Sequence, residues 1–273
     1  MTGRAARVHA QRMAVHGTRV VAGVAPGKGG QTVDGVPIHD TVQAAMSATG
    51  AVTTVAFLPA KDAGEGLTEA AEAGIRLAVS VTEGVEAHDL LPALALAKVH
   101  GMRIIGPNTP GLLIPAGPLL GFLPSQFAQP GDCAVVSKSG TLSYEVVWEL
   151  RQAGLGLSLW VVIGGDQLKG SSFSDIIRNL PGDGKTRAIV MIGEIGGSDE
   201  EDSAPFLRET GLPVVALIAG RRAPTNRTMG HAGAMIAGDA GRYSVKVDAL
   251  EAAGAVVISR PSEIPAALGR LIA

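Results

Sequence analysis

From Thr18 onward the chain alternates short apolar runs with amphipathic stretches of helix length. The runs TRVVAGV (18–24), VTTVAFL (52–58), IRLAVSVTE (75–83) and MRIIGPN (102–108) read as strands, and the stretches near 40–49, 65–73 and 86–99 read as helices between them. Both faces of each strand are apolar, as in a parallel sheet covered by helices on two sides. Four prolines between 112 and 132 break the rhythm, and residues 116–132 are expected to form an ordered connection. A second series follows, with strands at 133–137, 157–163, 187–193, 213–220 and 255–258. Helices are expected near 141–152, 172–179, 199–209 and 245–253, with a last one from about 261. The pattern predicts two doubly wound α/β domains, residues 1–115 and 133–273, with ligand sites at the carboxyl ends of the strands. One feature departs from it: MTGRAARVHAQRMAVHGT reads as a loop and a helix with no strand ahead of it. Such a domain ordinarily begins with a strand feeding its first glycine-containing loop. The expectation is therefore a missing first strand and a truncated or wrongly assigned start.

Composition narrows the function classes. With 273 residues, 46% hydrophobic and 18% charged, the chain is globular and long enough for two cores. A net charge of −2 and 3% aromatics, with no basic run interleaved with rings, exclude a nucleic-acid surface. The single cysteine, Cys133, excludes an internal disulfide and suits a reducing compartment. Glycines and charges interrupt every apolar run before membrane-spanning length. Residues 1–33 hold Arg4, Arg7, Arg12 and Arg19 and no acid, as a transit peptide would, but they contain no serine and run without a break into the fold.

Candidate chemistry lies at two strand ends and in two glycine-rich loops. GVAPGKGG (23–30) fails as a Walker A loop, because three residues separate Gly23 from Gly27 where four are needed, and Gly29 follows Lys28. It can still bring backbone and the Lys28 charge to a phosphate, or be a simple Pro-Gly turn. In SKSGTLSYE (137–145) a strand gives way to a helix; Ser139 or Thr141 can cap it, and its first N–H groups can bind an anion. Glu194 in MIGEIGG stands at the end of another strand, in a glycine turn that neither buries it nor caps a helix with it. His231 in RTMGHAGAMIAG sits among glycines and alanines, either as a turn residue or as an oriented nucleophile. A carboxylate on one ring nitrogen would fix the tautomer and direct the other to attack, with a helix N-terminus steadying a phosphate. His9, His16, His39, His88 and His100 lack metal-ligand spacing, so no zinc or iron site is expected. The absence of Gly-x-Gly-x-x-Gly speaks against a nicotinamide oxidoreductase.

Six stretches taken together, GVAPGKGGQTVDGVPIHDTVQAA, IIGPNTPGLLIPAG, VVSKSGTLSYE, VVIGGDQLKGSSFSDII, IVMIGEIGGSDEE and MGHAGAMIAG, resemble in order the α subunit of the succinate–CoA ligase family. The resemblance covers essentially the whole chain. It implies a Rossmann-like CoA-binding domain followed by a flavodoxin-like ligase domain, with His231 transiently phosphorylated and held by Glu194. It further implies that the Ser139-Gly140-Thr141 backbone receives the phosphate, that Tyr144 lies at the substrate position, and that CoA meets Thr2, Gly3, Lys28, Val81, Thr82 and Glu83. The reaction implied runs from ATP or GTP through phosphohistidine and succinyl phosphate to succinyl-CoA. Nucleotide and Mg²⁺ are held by a separate ATP-grasp β subunit in an αβ or α2β2 assembly, without nucleic acid or membrane. A bacterial cytoplasmic location is implied, with the mitochondrial matrix second. Two departures bear on the CoA half: the family's opening Thr-Gly-Ser-Gln-Gly is Thr2-Gly3-Arg4-Ala5-Ala6 here, and Thr109 stands where many relatives have cysteine. Losing the last glycine of that loop restricts backbone approach. Malate or another dicarboxylate as the acid, and a CoA-binding paralogue without turnover, are the alternatives.

Overall fold

A computed structural model of the chain describes residues 1–224, 227–236 and 241–272. Two compact units emerge. Met1–Gly111 with Gly117–Leu123 and Leu168–Gly170 form the first; Leu112–Ala116, Pro124–Gln167 and Ser171–Ala273 form the second. The proline-rich stretch expected as a connection is therefore divided between the units.

The first unit runs α1 (Arg4–Val15), β1 (Gly23–Val24), β2 (Thr32–Val33), β3 (Val36–His39), α2 (Val42–Thr49), β4 (Thr53–Ala56), α3 (Ala60–Ala73), β5 (Leu77–Ser80), α4 (Ala87–His100) and β6 (Arg103–Ile105). Parallel pairing joins β4 to β5 and β5 to β6. A separate sheet joins β1 in parallel and β2 in antiparallel fashion to β3. Helix α2 begins at Thr41, whose hydroxyl accepts the Ala44 N–H, and ends at Gly50 in the left-handed conformation. Helices α3 and α4 pack closely because α3 carries Gly64: a Cβ there would fall 2.3 Å from the Asp89 carbonyl oxygen. Their buried faces, Leu67, Ala70 and Ala71 against Leu90, Ala93 and Ala97, close over Ala78 and Ile104 of the sheet.

Between the two small sheets lies a cavity of about 1060 Å³, lined by Val20, Val24, Met46, Thr53, Val55 and Phe57 among others. The run expected as a strand over 18–24 forms a ladder only at Gly23–Val24. The physical reason is local: residues 19–22 border the cavity, and extended chain is stable as a strand only when a neighbour takes its backbone hydrogen bonds. Helix α1 follows directly on Met1–Gly3. Strand β4 shares the open edge, and none of its four residues is fully buried, whereas three of four in β5 are. Amide exchange should report the difference. We expect the β4 amides to exchange at least about ten-fold faster than those of β5 and the second unit's central strands, because a one-sided ladder opens locally at lower cost. Equal protection in hydrogen-exchange mass spectrometry would contradict this.

Continuing along the chain are β7 (Gly111–Leu113), β8 (Leu119–Gly121), β9 (Pro130–Ser137), α5 (Gly140–Gln152), β10 (Leu157–Val162), α6 (Phe173–Ile177), β11 (Ala188–Glu194), α7 (Asp199–Thr210), β12 (Val214–Ala219), α8 (Tyr243–Ala252), β13 (Val256–Ile258) and α9 (Ile264–Ile272). Strand β8 belongs to the first unit, where the Thr18 hydroxyl donates to the Leu119 carbonyl at 2.6 Å and accepts its N–H at 3.0 Å. Strands of the second unit lie in the order β13-β12-β11-β9-β10-β7. All pairings there are parallel except β7 with β10. Every residue of β11 is buried, which accounts for its unbroken apolar run. Cys133 on β9 is buried as well; burial, reinforced by the Asp132 charge, pushes its thiol up to about 12 and leaves it a packing residue. Among the described residues no helix is long and apolar enough to cross a membrane.

Candidate active site

In the second unit β9 is flanked by β11 and β10, so the loops after these three strands share one sheet edge. Glu194, the last residue of β11, is buried, its carboxylate Oε2 2.8 Å from Nδ1 of His231. After β10 comes Gly165, against which the imidazole lies so closely that a Cβ would fall 2.3 Å from the ring Cγ and Nδ1. The histidine is thus anchored at the ends of the two outer strands. The middle strand, β9, ends at Ser137 and feeds α5, so the start of α5 lies between those two anchors. Sequence reading brought His231, Glu194 and residues 139–141 together as a candidate set, and strand order is what puts them on one edge.

The loop carrying His231 is built to approach backbone. Gly196, with φ +90°, faces the Gly233 carbonyl so closely that a Cβ would come within 2.1 Å of it, so the glycines after Glu194 make room for this loop. Ala234 and Ile236, both buried, pack on Ile195, which seats the loop on the residue next to Glu194. Within the loop the Ala234 N–H donates to the His231 carbonyl at 3.0 Å, and the Gly233 N–H reaches the Gly165 carbonyl at 3.3 Å. The imidazole side chain is 28% exposed and its carboxylate partner 10%, so the ring is the more open of the pair. The last two residues of the motif, Ala237 and Gly238, lie outside the described residues.

Ser139 caps α5, its hydroxyl accepting the Leu142 N–H at 3.3 Å. Its own N–H donates to the Ser137 hydroxyl at 3.0 Å. The capping and anion-binding readings are therefore compatible: helix geometry gives the N–H groups of Gly140 and Thr141 no intrahelical acceptor, and the helix dipole makes that end electropositive. Thr141 is exposed. One turn further on, Tyr144 stands edge-on to buried Trp160, ring centroids 5.7 Å apart, and partial burial raises its phenol above the usual value.

Sequence reading missed a buried charge cluster beneath this edge. Glu200, in the first turn of α7, is fully buried; its Oε2 accepts from Lys138 Nζ at 2.9 Å, and the Lys246 ammonium of α8 also pairs with it. Its Oε1 accepts the backbone N–H of Glu194 at 3.0 Å. Lys246 reaches the Gly197 carbonyl at 2.9 Å and Glu201 at 2.8 Å besides. In the sequence Glu200 stands within SDEED, which reads as a solvated acidic first turn; only the glycine at 193, where a Cβ would meet the Glu200 carboxylate at 2.5 Å, hints at it.

Burial alone would raise the Glu200 carboxyl, but Lys138 and Lys246 outweigh it and hold it below the ordinary range. For Lys246 burial alone would lower the ammonium, and Glu200 and Glu201 reverse that, so it is raised. The depressed carboxyl stabilises the fold above its unfolded pKa of about 4.3, and that contribution is lost as pH falls through the folded value. The raised ammonium contributes below about 10.4, and that is lost as pH rises through its folded value. Denaturant titrations should therefore show this cluster's contribution constant from about pH 5 to pH 10. A Glu200→Gln variant should lose much of its stability deficit relative to wild type below about pH 4. A deficit that varied between pH 6 and 8 would contradict the assignment.

In the first unit Lys28 Nζ donates to the Thr2 hydroxyl at 3.2 Å, which brings together two of the residues expected to meet CoA. Gly3 is the N-cap of α1 with no side-chain cap bond. Val81 and Thr82 follow β5 and are fixed there, the Thr82 hydroxyl donating to the Leu58 carbonyl at 2.6 Å, while Glu83 is exposed. Thr109 is buried and its hydroxyl accepts the Gly111 N–H at 2.9 Å.

A CoA binding domain model matches residues 1–84, and a CoA-ligase model matches residues 136–256. The ADP-forming succinate–CoA ligase subunit alpha 2 of Archaeoglobus fulgidus is 46% identical over 97% of this chain and 92% of its own length. The corresponding subunit alpha of Aquifex aeolicus is 42% identical over 100% of this chain and 90% of its own. Among solved structures, ATP citrate lyase from Methanothrix soehngenii, in complex with citrate and coenzyme A, superposes with a TM-score of 0.80 at 27% identity over 87% of this chain. This chain spans 41% of that longer one. A fold likeness extends to the dinucleotide-forming acetyl-coenzyme A synthetase 1 of Ca. Korarchaeum cryptofilum, with a TM-score of 0.73 at 20% identity over 92% of this chain and 54% of that one. With two family domains in order and identity above 40% along nearly its whole length, the chain belongs to the succinate–CoA ligase α-subunit family.

Proposed function

We propose that this chain activates succinate for thioester formation with CoA by way of a phosphohistidine at His231, in partnership with an ATP-grasp β subunit. The observation that carries the reading is the Nδ1 contact of His231 with Glu194 at 2.8 Å, made at the strand edge where α5 begins. With Nδ1–H donated to the carboxylate, Nε2 is the attacking atom, and Glu194 stabilises the imidazolium charge that grows as the N–P bond forms. Nε2 attacks the γ-phosphorus of a nucleoside triphosphate, the bond from that phosphorus to the bridging oxygen breaks, and the nucleoside diphosphate leaves; the partner would hold the nucleotide and Mg²⁺, which would offset the phosphate charge. The backbone N–H groups of Gly140 and Thr141, with Ser139 as cap, suit the three equatorial oxygens in flight. A carboxylate oxygen of succinate then attacks phosphorus, the N–P bond breaks, and succinyl phosphate forms beside Tyr144. Finally the CoA thiolate attacks the acyl carbon and inorganic phosphate departs. Lys28, Thr2 and Gly3, with Val81, Thr82 and Glu83, are the groups proposed to hold CoA. The relatives from Archaeoglobus fulgidus and Aquifex aeolicus are ADP-forming by name, which supports ADP as the nucleotide product. We place the protein in the cytoplasm, in an αβ or α2β2 assembly.

The test is phosphate trapping followed by turnover. Incubated with its β subunit and Mg-ATP, the chain should gain acid-labile, base-stable phosphate at His231, and succinate should discharge it faster than malate does. No phosphate on His231, or discharge by neither acid, would overturn the reading. A CoA-binding role without turnover is the second reading, motivated by the departure of the opening loop Thr2-Gly3-Arg4-Ala5-Ala6 from the family's pattern. Calorimetry with CoA separates the two: binding without thioester formation would select it.

A further inference from the structure

Glu200 touches no reacting atom, yet it links the elements that carry the site. Its Oε1 accepts the backbone N–H of Glu194, the residue whose side chain holds His231, at 3.0 Å. The same carboxylate takes Lys138 at 2.8 Å, and Lys138 stands between the last residue of β9 and Ser139, the cap of α5. Its other oxygen takes Lys246 of α8, which also grips the Gly197 carbonyl at 2.9 Å. One carboxylate thus spans the β9–α5 loop, the β11–α7 loop and α8. The side chains of Lys138 and Glu200 are 6% and 0% exposed, so both charges are withdrawn from water. An apolar set of similar volume could fill this space at no loss of stability, since buried ion pairs are often replaceable in that way. What the apolar set could not supply is the acceptor for the Glu194 N–H and a fixed distance from that residue to the α5 start.

We propose that Glu200 is a positioning residue: through the Glu194 backbone and through Lys138 it holds the imidazole of His231 and the N-terminus of α5 in register, so that one phosphoryl group meets both. The inference rests on the phosphohistidine reading and deepens it. A displacement of about 1 Å between nucleophile and anion site costs on the order of a hundred-fold in rate, so a positioning role shows in phosphorylation and not in CoA binding.

The test uses the whole 273-residue chain with potassium phosphoramidate, a small phosphoryl donor that needs no partner subunit. Nε2 displaces ammonia from phosphorus, one P–N bond forming as another breaks. The rate of phosphate appearance on His231 is followed by ³¹P NMR and mass spectrometry. Two variants are compared with wild type. Lys138→Met/Glu200→Gln removes one charge of each sign and leaves Lys246 paired with Glu201, while Glu200→Gln alone keeps the side-chain volume. The expected result is a folded double variant with unchanged CoA affinity, His231 phosphorylation slowed at least ten-fold, and the ¹⁵N signature of an Nδ1–H bonded to carboxylate weakened. If the double variant fails to fold, Glu200→Gln is read by the same three measurements. Phosphorylation within two-fold of wild type in a folded variant, or an unaltered Nδ1 signature, overturns the proposal and leaves the phosphohistidine reading standing. A wild-type chain that takes no phosphate on His231 removes that reading, and the positioning role falls with it.

Discussion

A His231→Asn chain is expected to lose succinyl-CoA formation by about ten-thousand-fold or more, since asparagine has the approximate size of the imidazole but no nitrogen able to take and release a phosphoryl group. CoA affinity should stay within about two-fold, because Lys28 and Thr2 belong to the other compact unit. The companion variant Glu194→Gln tests the orientation of the ring. Its amide oxygen can still accept the Nδ1–H that the carboxylate takes at 2.8 Å, but it cannot stabilise an imidazolium. A fall of between about a hundred- and ten-thousand-fold in the phosphorylation step is expected, with little change in KM for CoA. Single-turnover trapping of the phosphoprotein measures both variants. Full turnover by His231→Asn would remove the phosphohistidine from the mechanism.

A Gly165→Ala variant should cost on the order of a hundred-fold in the same step without touching any reacting atom. Gly165 is not in the left-handed region, so alanine is tolerated by the backbone, and the effect is steric alone. The added methyl would lie 2.3 Å from the imidazole Cγ and 2.6 Å from Cδ2, far inside contact distance. The ring must tilt off Glu194, or the loop must lift from Ile195. Either shift separates Nδ1 from the carboxylate that fixes its tautomer. Wild-type phosphorylation kinetics for Gly165→Ala would mean that the ring is not held between the ends of β10 and β11.

Most of the secondary structure was legible because its causes are local. The periodicity that separates β9 from α5, the Ser139 cap, and the unbroken apolar run of β11 are written in neighbouring residues. Where expectation and structure part, a non-local cause is at work. TRVVAGV has the composition of a strand, yet only Gly23–Val24 pairs, since a ladder needs a partner that composition does not provide. The proline-rich stretch 116–132 read as a connection is divided instead, Gly117–Leu123 with β8 falling in the first unit and Pro124 onward in the second, and Leu119 is bonded there by the Thr18 hydroxyl from 101 positions away.

The candidate site divides along the same line. By itself the sequence determined that one strand ends at Ser137 and another at Gly193, next to Glu194, that a helix starts near residue 141, and that one histidine sits in a loop of small residues; each follows from spacing of apolar positions and from the conformational freedom of glycine. Tertiary structure alone decided that His231 meets a carboxylate 37 residues earlier, that Gly165 leaves room for its ring, and that Glu200 pairs with lysines 62 and 46 residues away. An acid in an α-helical first turn has the same local signature whether it faces water or lysine. Strand order places Glu200 under the loops of β9 and β11, and burial is what turns an ordinary surface acid into the link between them.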